Sequence, residues 1–212
     1  MTHHDTSKPA REDLSLERVE AFSDAIFAFA ATLLVLAIAV PSAEEASSSR
    51  SLLRALQAAL PSFVTFAVTF VVLGQAWVSH HRMLRMFRQA DHALVWLNLL
   101  LLLVIAFSPF PTALLGRALG HDGAWVAVAL YGTTWTVGGL LFNAVWWRGK
   151  SALLRVEIST REARRVTIRF LMSPILYAVA TILAPFAPWA SLTMFVVLAL
   201  FFMLPPPGGG RP

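Results

Sequence analysis

The chain has 212 residues, of which 57% are hydrophobic and 14% charged, with a formal net charge of +5 and no cysteine. A soluble domain sits nearer half apolar and a quarter charged, so the composition excludes an ordinary soluble protein; the missing thiol excludes disulfides, zinc–thiolate sites, iron–sulfur clusters and cysteine nucleophiles. The basic excess lies between apolar runs, where the preference of cytoplasmic loops for Lys and Arg explains it without nucleic acid as a partner.

Residues 1–15 are polar and read as a tail; His3 and His4 stand side by side there without a third ligand. Leu16 to Val40 follows, apolar and long enough to cross a bilayer, since about 20 residues at 1.5 Å each reach about 30 Å. The run is too long for a signal-peptide core and carries Asp24, so it reads as a retained first helix. Ala21, Ala25, Ala28 and Ala31 make a small-residue stripe that lets another helix approach. A second line runs through Phe22, Ala25 or Ile26, Phe29, Leu33 and Leu36.

Residues 41–49 form a short loop. The second span is expected from Leu52 to about Val78, starting at the interface with Arg54 and Gln57 and running on to Arg88, with Pro61 near its start or at a kink. Trp77, His80, His81, Arg82, Arg85 and Arg88 make a basic segment with an interfacial tryptophan. Asp91 opens a third span to about Leu115, bent or ended by Pro109 and Pro111. The fourth span, Ala124 to Trp147, has Trp125 at one end and Trp146 and Trp147 at the other, an aromatic belt.

Arg148 to Arg169 reads as the largest basic loop, in which Ser159 and Glu162 have capping-box spacing and predict a short helix. The fifth span is expected over about Val166 to Ala184 and the sixth over Trp189 to Leu204, before a flexible tail at 205–212. All Lys and Arg but Arg50, Arg54 and Arg117 fall at the amino terminus, in 77–91, in 148–169 or in the tail. That bias predicts an all-α multi-pass membrane protein with six spans over 16–204 and both termini cytoplasmic. A unit this small predicts an oligomer.

Polar residues recur at one depth on three spans: Ser23 and Asp24, Trp77 and His80, and Asn98. A buried polar group without a partner is costly, so these predict a cluster in which Asp24 accepts from Trp77 or His80 and Asn98 bridges. The functional reading is a proton relay or cation site; the structural one, preferred because only apolar residues lie beyond the cluster, is an interhelical clasp. No HExxH, GxSxG or phosphate-binding glycine loop occurs, so no enzyme, catalytic residue, metal site or cofactor is expected. Two transport classes remain: a channel, and a secondary or proton-coupled cation carrier using Asp24 and His80.

Arg18-Val-Glu-Ala-Phe22-Ser23-Asp24 resembles the arginine-x-x-x-Phe-Ser-Asp signature of the lysosomal potassium channel family of the transmembrane-protein-175 type. The likeness continues through Ala31-Thr32-Leu33-Leu34, Trp77-x-x-His80, Asp91, Leu97-Asn98-Leu99 and Pro109. It is close over residues 16–115; the later spans match only in hydropathy and loop charge. The resemblance implies a single-unit bacterial member: a homotetramer in the cytoplasmic membrane, in contact with lipid, passing K+ through a central pore lined by the first helix.

Carried over, the narrowest apolar ring falls at Phe29, where the family usually has Ile or Leu. Further apolar rings fall at Leu33 and Leu36 and a hydroxyl layer at Thr32. Arg18, Phe22, Ser23, Asp24, Trp77, His80 and Asn98 correspond to the structural network. A dry neck would favour potassium because sodium is harder to dehydrate, with Thr32 hydroxyls replacing some lost water.

Overall fold

The computed structural model describes residues 15–155 and 157–203. Expectations for the terminal tails, apart from Ser15, lie outside these residues. The described chain is helical: α1 Leu16–Leu33, α2 Ser49–Ala58, α3 Leu60–Arg85, α4 His92–Phe107, α5 Pro109–Ala118, α6 Ala124–Ala152, α7 Thr160–Leu183 and α8 Pro188–Met203. Five segments are long and apolar enough to cross a membrane: 16–37, 60–85, 92–118, 124–152 and 160–183. The apolar helix α8 is shorter.

Several boundaries correct the sequence reading. The first helix stops being α-helical at Leu33, tightens to a 3₁₀ turn over Leu34–Ala37, and leaves helical geometry at Ile38. Val40 precedes Pro41, which disfavours helical geometry there. The second span starts at Leu60, not Leu52, because Pro61 fits a helix's first turn but not its interior. The piece before it is a separate helix, α2, closed by a capping box in which Ser48 and Ser51 bond reciprocally at 3.2 Å.

The third span bends at Ser108 and carries on through Pro109 and Pro111 as α5, reaching Ala118 rather than Leu115. Ser159 caps α7 by accepting from the Glu162 amide at 3.2 Å. That helix is no short loop element, however: it continues unbroken into the fifth span. Pro174 sits inside it, accommodated because α6 presents Gly139, where an added Cβ would stand 3.0 Å from the proline ring.

The core joins α1, α3, α4, α5, α6 and α7 around Leu34, Leu73, Leu101, Ile105, Tyr131 and Trp146, all essentially inaccessible. Within it Thr112 donates to Thr69 and Thr69 to the Tyr131 hydroxyl, each at 3.2 Å, which ties α5, α3 and α6 together.

At the other end, a short antiparallel pairing joins the chain after α3 to the chain after α6. Arg88 N donates to Leu153 O at 2.8 Å and Arg155 N to Met86 O at 2.9 Å. Between these strands the Phe87 ring is fully buried, stacks on Trp146 at 6.0 Å, and occupies the space a side chain at Gly149 would need.

Candidate functional site

The first helix is two-faced. Val19, Ser23, Phe27, Ala30, Leu34 and Ala37 are buried, following the three-and-four spacing of one helical stripe. On the opposite face Phe22 is 52% exposed, Phe29 63% and Leu36 71%, at intervals of seven. Ala21, Ala25, Ala28, Thr32 and Val35 share that exposed face, whereas Ala31 and Leu33 are half-buried beside it. The Thr32 hydroxyl donates to Phe29 O at 2.8 Å, so its proton is engaged by its own helix and its lone pairs face outward.

On the buried face three spans meet through polar groups. His80 Nε2 lies 2.7 Å from Asn98 Oδ1, Asn98 Nδ2 donates to Ser23 Oγ at 2.9 Å, and Ser23 Oγ donates to Val19 O at 2.7 Å. Because Asn98 Oδ1 can only accept, His80 Nε2 carries the proton. The chain of donors therefore runs one way, from α3 through α4 to the backbone of α1. Ser23, His80 and Asn98 are all buried, and the His80 ring lies against Phe27 at 5.5 Å and Phe142 at 6.3 Å.

Asp24 belongs to a separate contact. Trp77 Nε1 donates to Asp24 Oδ1 at 2.8 Å. Beside it His81 Nδ1 lies 2.7 Å from Glu20 Oε1, and the Trp77 and His81 rings are 6.1 Å apart. The expected bond from Trp77 to Asp24 is present, whereas the expected single cluster is split: Asn98 bridges Ser23 and His80 and does not join Asp24 to them. Arg18 is exposed in the first turn, with its amide held by Ser15. Among the described residues no three His, Asp or Glu side chains converge as metal ligands would.

Sequence reasoning missed the tie that fixes α4 to α6. Asp91 caps α4, accepting from Leu94 N at 2.9 Å, and its Oδ2 receives Arg148 Nε at 3.0 Å and Arg148 Nη2. The Arg148 hydrogen bond holds the Asp91 carboxyl below its ordinary value of 3.8, with the Leu94 amide adding to the shift and burial opposing it. A lone Asp just before an apolar run was the available signal for the cap; nothing in the spacing pointed to Arg148.

The model of the family described as "Endosomal/lysosomal potassium channel TMEM175" matches residues 18–109. A potassium channel of Chamaesiphon minutus is 36% identical over 197 residues, 92% of this chain and 97% of that one. A potassium channel of Streptomyces collinus is 38% identical over 188 residues, 87% of this chain and 90% of that one. The crystal structure of a lysosomal potassium-selective channel TMEM175 homolog from Chamaesiphon minutus superposes with a TM-score of 0.81 at 35% identity, covering 89% of this chain and 96% of that one.

Proposed function

This chain belongs to the TMEM175 potassium channel family, and from that premise we propose that it forms a potassium-preferring cation channel. The pore is the axis of a homotetramer in the cytoplasmic membrane, and ions cross it passively. Each subunit crosses six times, the five long spans joined by α8, with both termini cytoplasmic.

The observation that carries this reading is the bare face of α1. An apolar helix stripe with Phe22, Phe29 and Leu36 outermost has no partner covering it among the described residues. Four copies around an axis would give it one, with Phe29, Leu33 and Leu36 forming apolar rings and Thr32 a hydroxyl layer. Such a neck discriminates by dehydration cost, with no binding cage for the ion. Arg18, Phe22, Ser23, Asp24, Trp77, His80 and Asn98 set the rotation of α1 and its contacts with neighbouring helices.

A proton-coupled carrier would need Asp24 and His80 to exchange protons with the path. Each is held by a different partner, and the His80–Asn98–Ser23 chain ends on a backbone carbonyl. That supports a clasp.

The test is potassium and sodium flux into liposomes carrying the purified protein. The expected result is potassium entry that follows the electrochemical gradient, exceeds sodium entry, and loses discrimination in Leu33→Ala. An unchanged flux ratio in Leu33→Ala would remove this pore line. Saturable uptake that requires a proton gradient would replace the channel by the carrier.

A further inference from the structure

Arg50, Arg54 and Arg117 are the cations that the charge bias between loops leaves unexplained. Two of them stand on α2, the Ser49–Ala58 helix between the span that ends at Ala37 and the span that starts at Leu60. At 10 residues, α2 reaches about 15 Å, half of a ~30 Å hydrocarbon core, so it does not cross. A single residue, Ala59, joins it to α3, which holds it at the height where that span enters the membrane.

The helix has two unlike sides. At about 100° per residue, Leu52, Leu53, Ala55 and Leu56 gather on one side and Arg50, Arg54 and Gln57 on the other. No residue of α2 is buried; Leu53 is 60% exposed and Leu56 39%. Leu60, Phe63 and Val64 are exposed too, so the uncovered apolar side of α2 runs on along the chain into the first turns of α3. Arg50 and Arg54 are exposed and one turn apart, and neither forms an ion pair among the described residues, whose pairs are His81–Glu20 and Arg148–Asp91.

These features favour lipid as the occupant of that side. A helix of low overall hydrophobicity, with leucines on one side and arginines on the other, has the composition of one that lies in the plane of a membrane surface. Its leucines are continuous with exposed side chains of a membrane span, so the medium they meet is the one that span meets. A guanidinium matches phosphate in shape and charge, and an arginine stem lies along apolar surface while its head reaches outward.

We propose that α2 lies flat at the boundary between headgroups and acyl chains, with Leu53 and Leu56 among the chains and Arg50 and Arg54 on the phosphates of anionic phospholipid. In the orientation proposed above this is the outer leaflet. The helix thereby straps the end of α1 and the start of α3 to the membrane surface. The proposal rests on α1 and α3 being spans and not on the pore.

The chain has no cysteine, so single cysteines can be spin-labelled without background. Leu53→Cys and Leu56→Cys report on the apolar side, and Ala58→Cys on the polar one. Each labelled full-length protein is placed in nanodiscs of phosphatidylcholine, with and without phosphatidylglycerol. Accessibility is then measured to oxygen, which concentrates among acyl chains, and to a water-soluble nickel chelate. The oxygen-to-nickel ratio at positions 53 and 56 should exceed that at 58 by about three-fold or more. Phosphatidylglycerol should raise the ratio at 53 and 56 about two-fold, and Arg50→Gln with Arg54→Gln should abolish that rise.

Exclusion of both reagents from 53 and 56, with disulfide cross-linking of Leu56→Cys between copies, would seat α2 on another subunit and overturn the proposal. Nickel access at 53 and 56 equal to that at 58 would place the helix in water and overturn it as well. A ratio indifferent to phosphatidylglycerol, or a rise that survives the double substitution, would remove the arginine–phosphate contact. The readout does not depend on ion flux, so its failure is separate from failure of the channel reading.

Discussion

Arg148, near the end of α6, closes on Asp91, the residue that begins α4, with Nε and Nη2 both directed at one carboxylate oxygen. One side chain thus caps a helix and ties two spans together. Its depressed pKa gives the pH dependence a definite sign. As pH falls, the unfolded state takes up the proton first, so the stabilisation is complete above 3.8 and is lost as pH drops through the still lower folded value. Asp91→Asn keeps a capping oxygen but removes the charge. In detergent its melting temperature should lie slightly below wild type at neutral pH, since an exposed ion pair contributes little. The two curves should converge in acid, as thermal melts read by tryptophan fluorescence across pH would show.

Gly149 leaves the space that the Phe87 ring fills. Gly149→Ala should destabilise the fold by roughly 1–3 kcal/mol through overpacking, although alanine is the better helix former. A variant that melts at or above the wild-type temperature would mean that Phe87 readily swings away. Phe87→Leu combined with Gly149→Ala should recover part of the loss.

Asn98 holds both ends of the chain from His80 to Ser23. Asn98→Ala leaves the buried His80 Nε2–H without an acceptor, while Ser23 keeps its bond to Val19 O, and should cost about 1–3 kcal/mol, read as an earlier melt of the assembled protein. Asn98→Gln, which keeps the amide but moves it by one methylene, should fall between the two.

These three ties show what was legible in the sequence and what was not. That Ser23, Asp24, Trp77, His80 and Asn98 lie near one depth follows from counting residues along spans, because rise per residue is fixed. Which atoms meet depends on each helix's rotation about its axis, and that is set by the whole core, so the split into a Ser23–Asn98–His80 chain and an Asp24–Trp77 pair could not be counted out. Helix ends misread for a different reason. Leu52, Leu53, Leu56 and Leu60 lead toward α3 past only Arg54 and Gln57, so the stretch reads as the start of the span, yet a separate helix ends there and α3 begins beside Pro61. Conversely, the charges of Arg161 to Arg169 suggested a loop although no residue between Thr160 and Val166 breaks a helix.

Asp24 distinguishes the two transport readings directly. Asp24→Asn retains an oxygen for Trp77 but cannot release a proton. Potassium flux in liposomes should stay within about two-fold of wild type, since an exposed neutral hydrogen bond loses at most a fraction of a charged one. Abolished uptake with intact assembly would favour the carrier.

Phe29 is the more exposed of the two phenylalanines, Phe22 and Phe29, on the exposed face of α1. Phe29→Leu should widen the neck and raise potassium flux several-fold, with a smaller gain in selectivity than in rate. Flux unchanged by Phe29→Leu and by Phe29→Ala would place the constriction elsewhere.

The bond between Asp24 and Trp77 also spans 53 residues of chain, and that separation bears on how the protein is made. The first span reaches the translocon with its carboxylate unanswered, while Trp77 has yet to be synthesised. Insertion of an Asp toward the middle of a span costs roughly 2.5–3.5 kcal/mol on translocon scales, less nearer the interface. A first span that carries this cost gains from the indole that α3 delivers, so release of the first two spans into lipid together, as a hairpin, is the expected order of insertion.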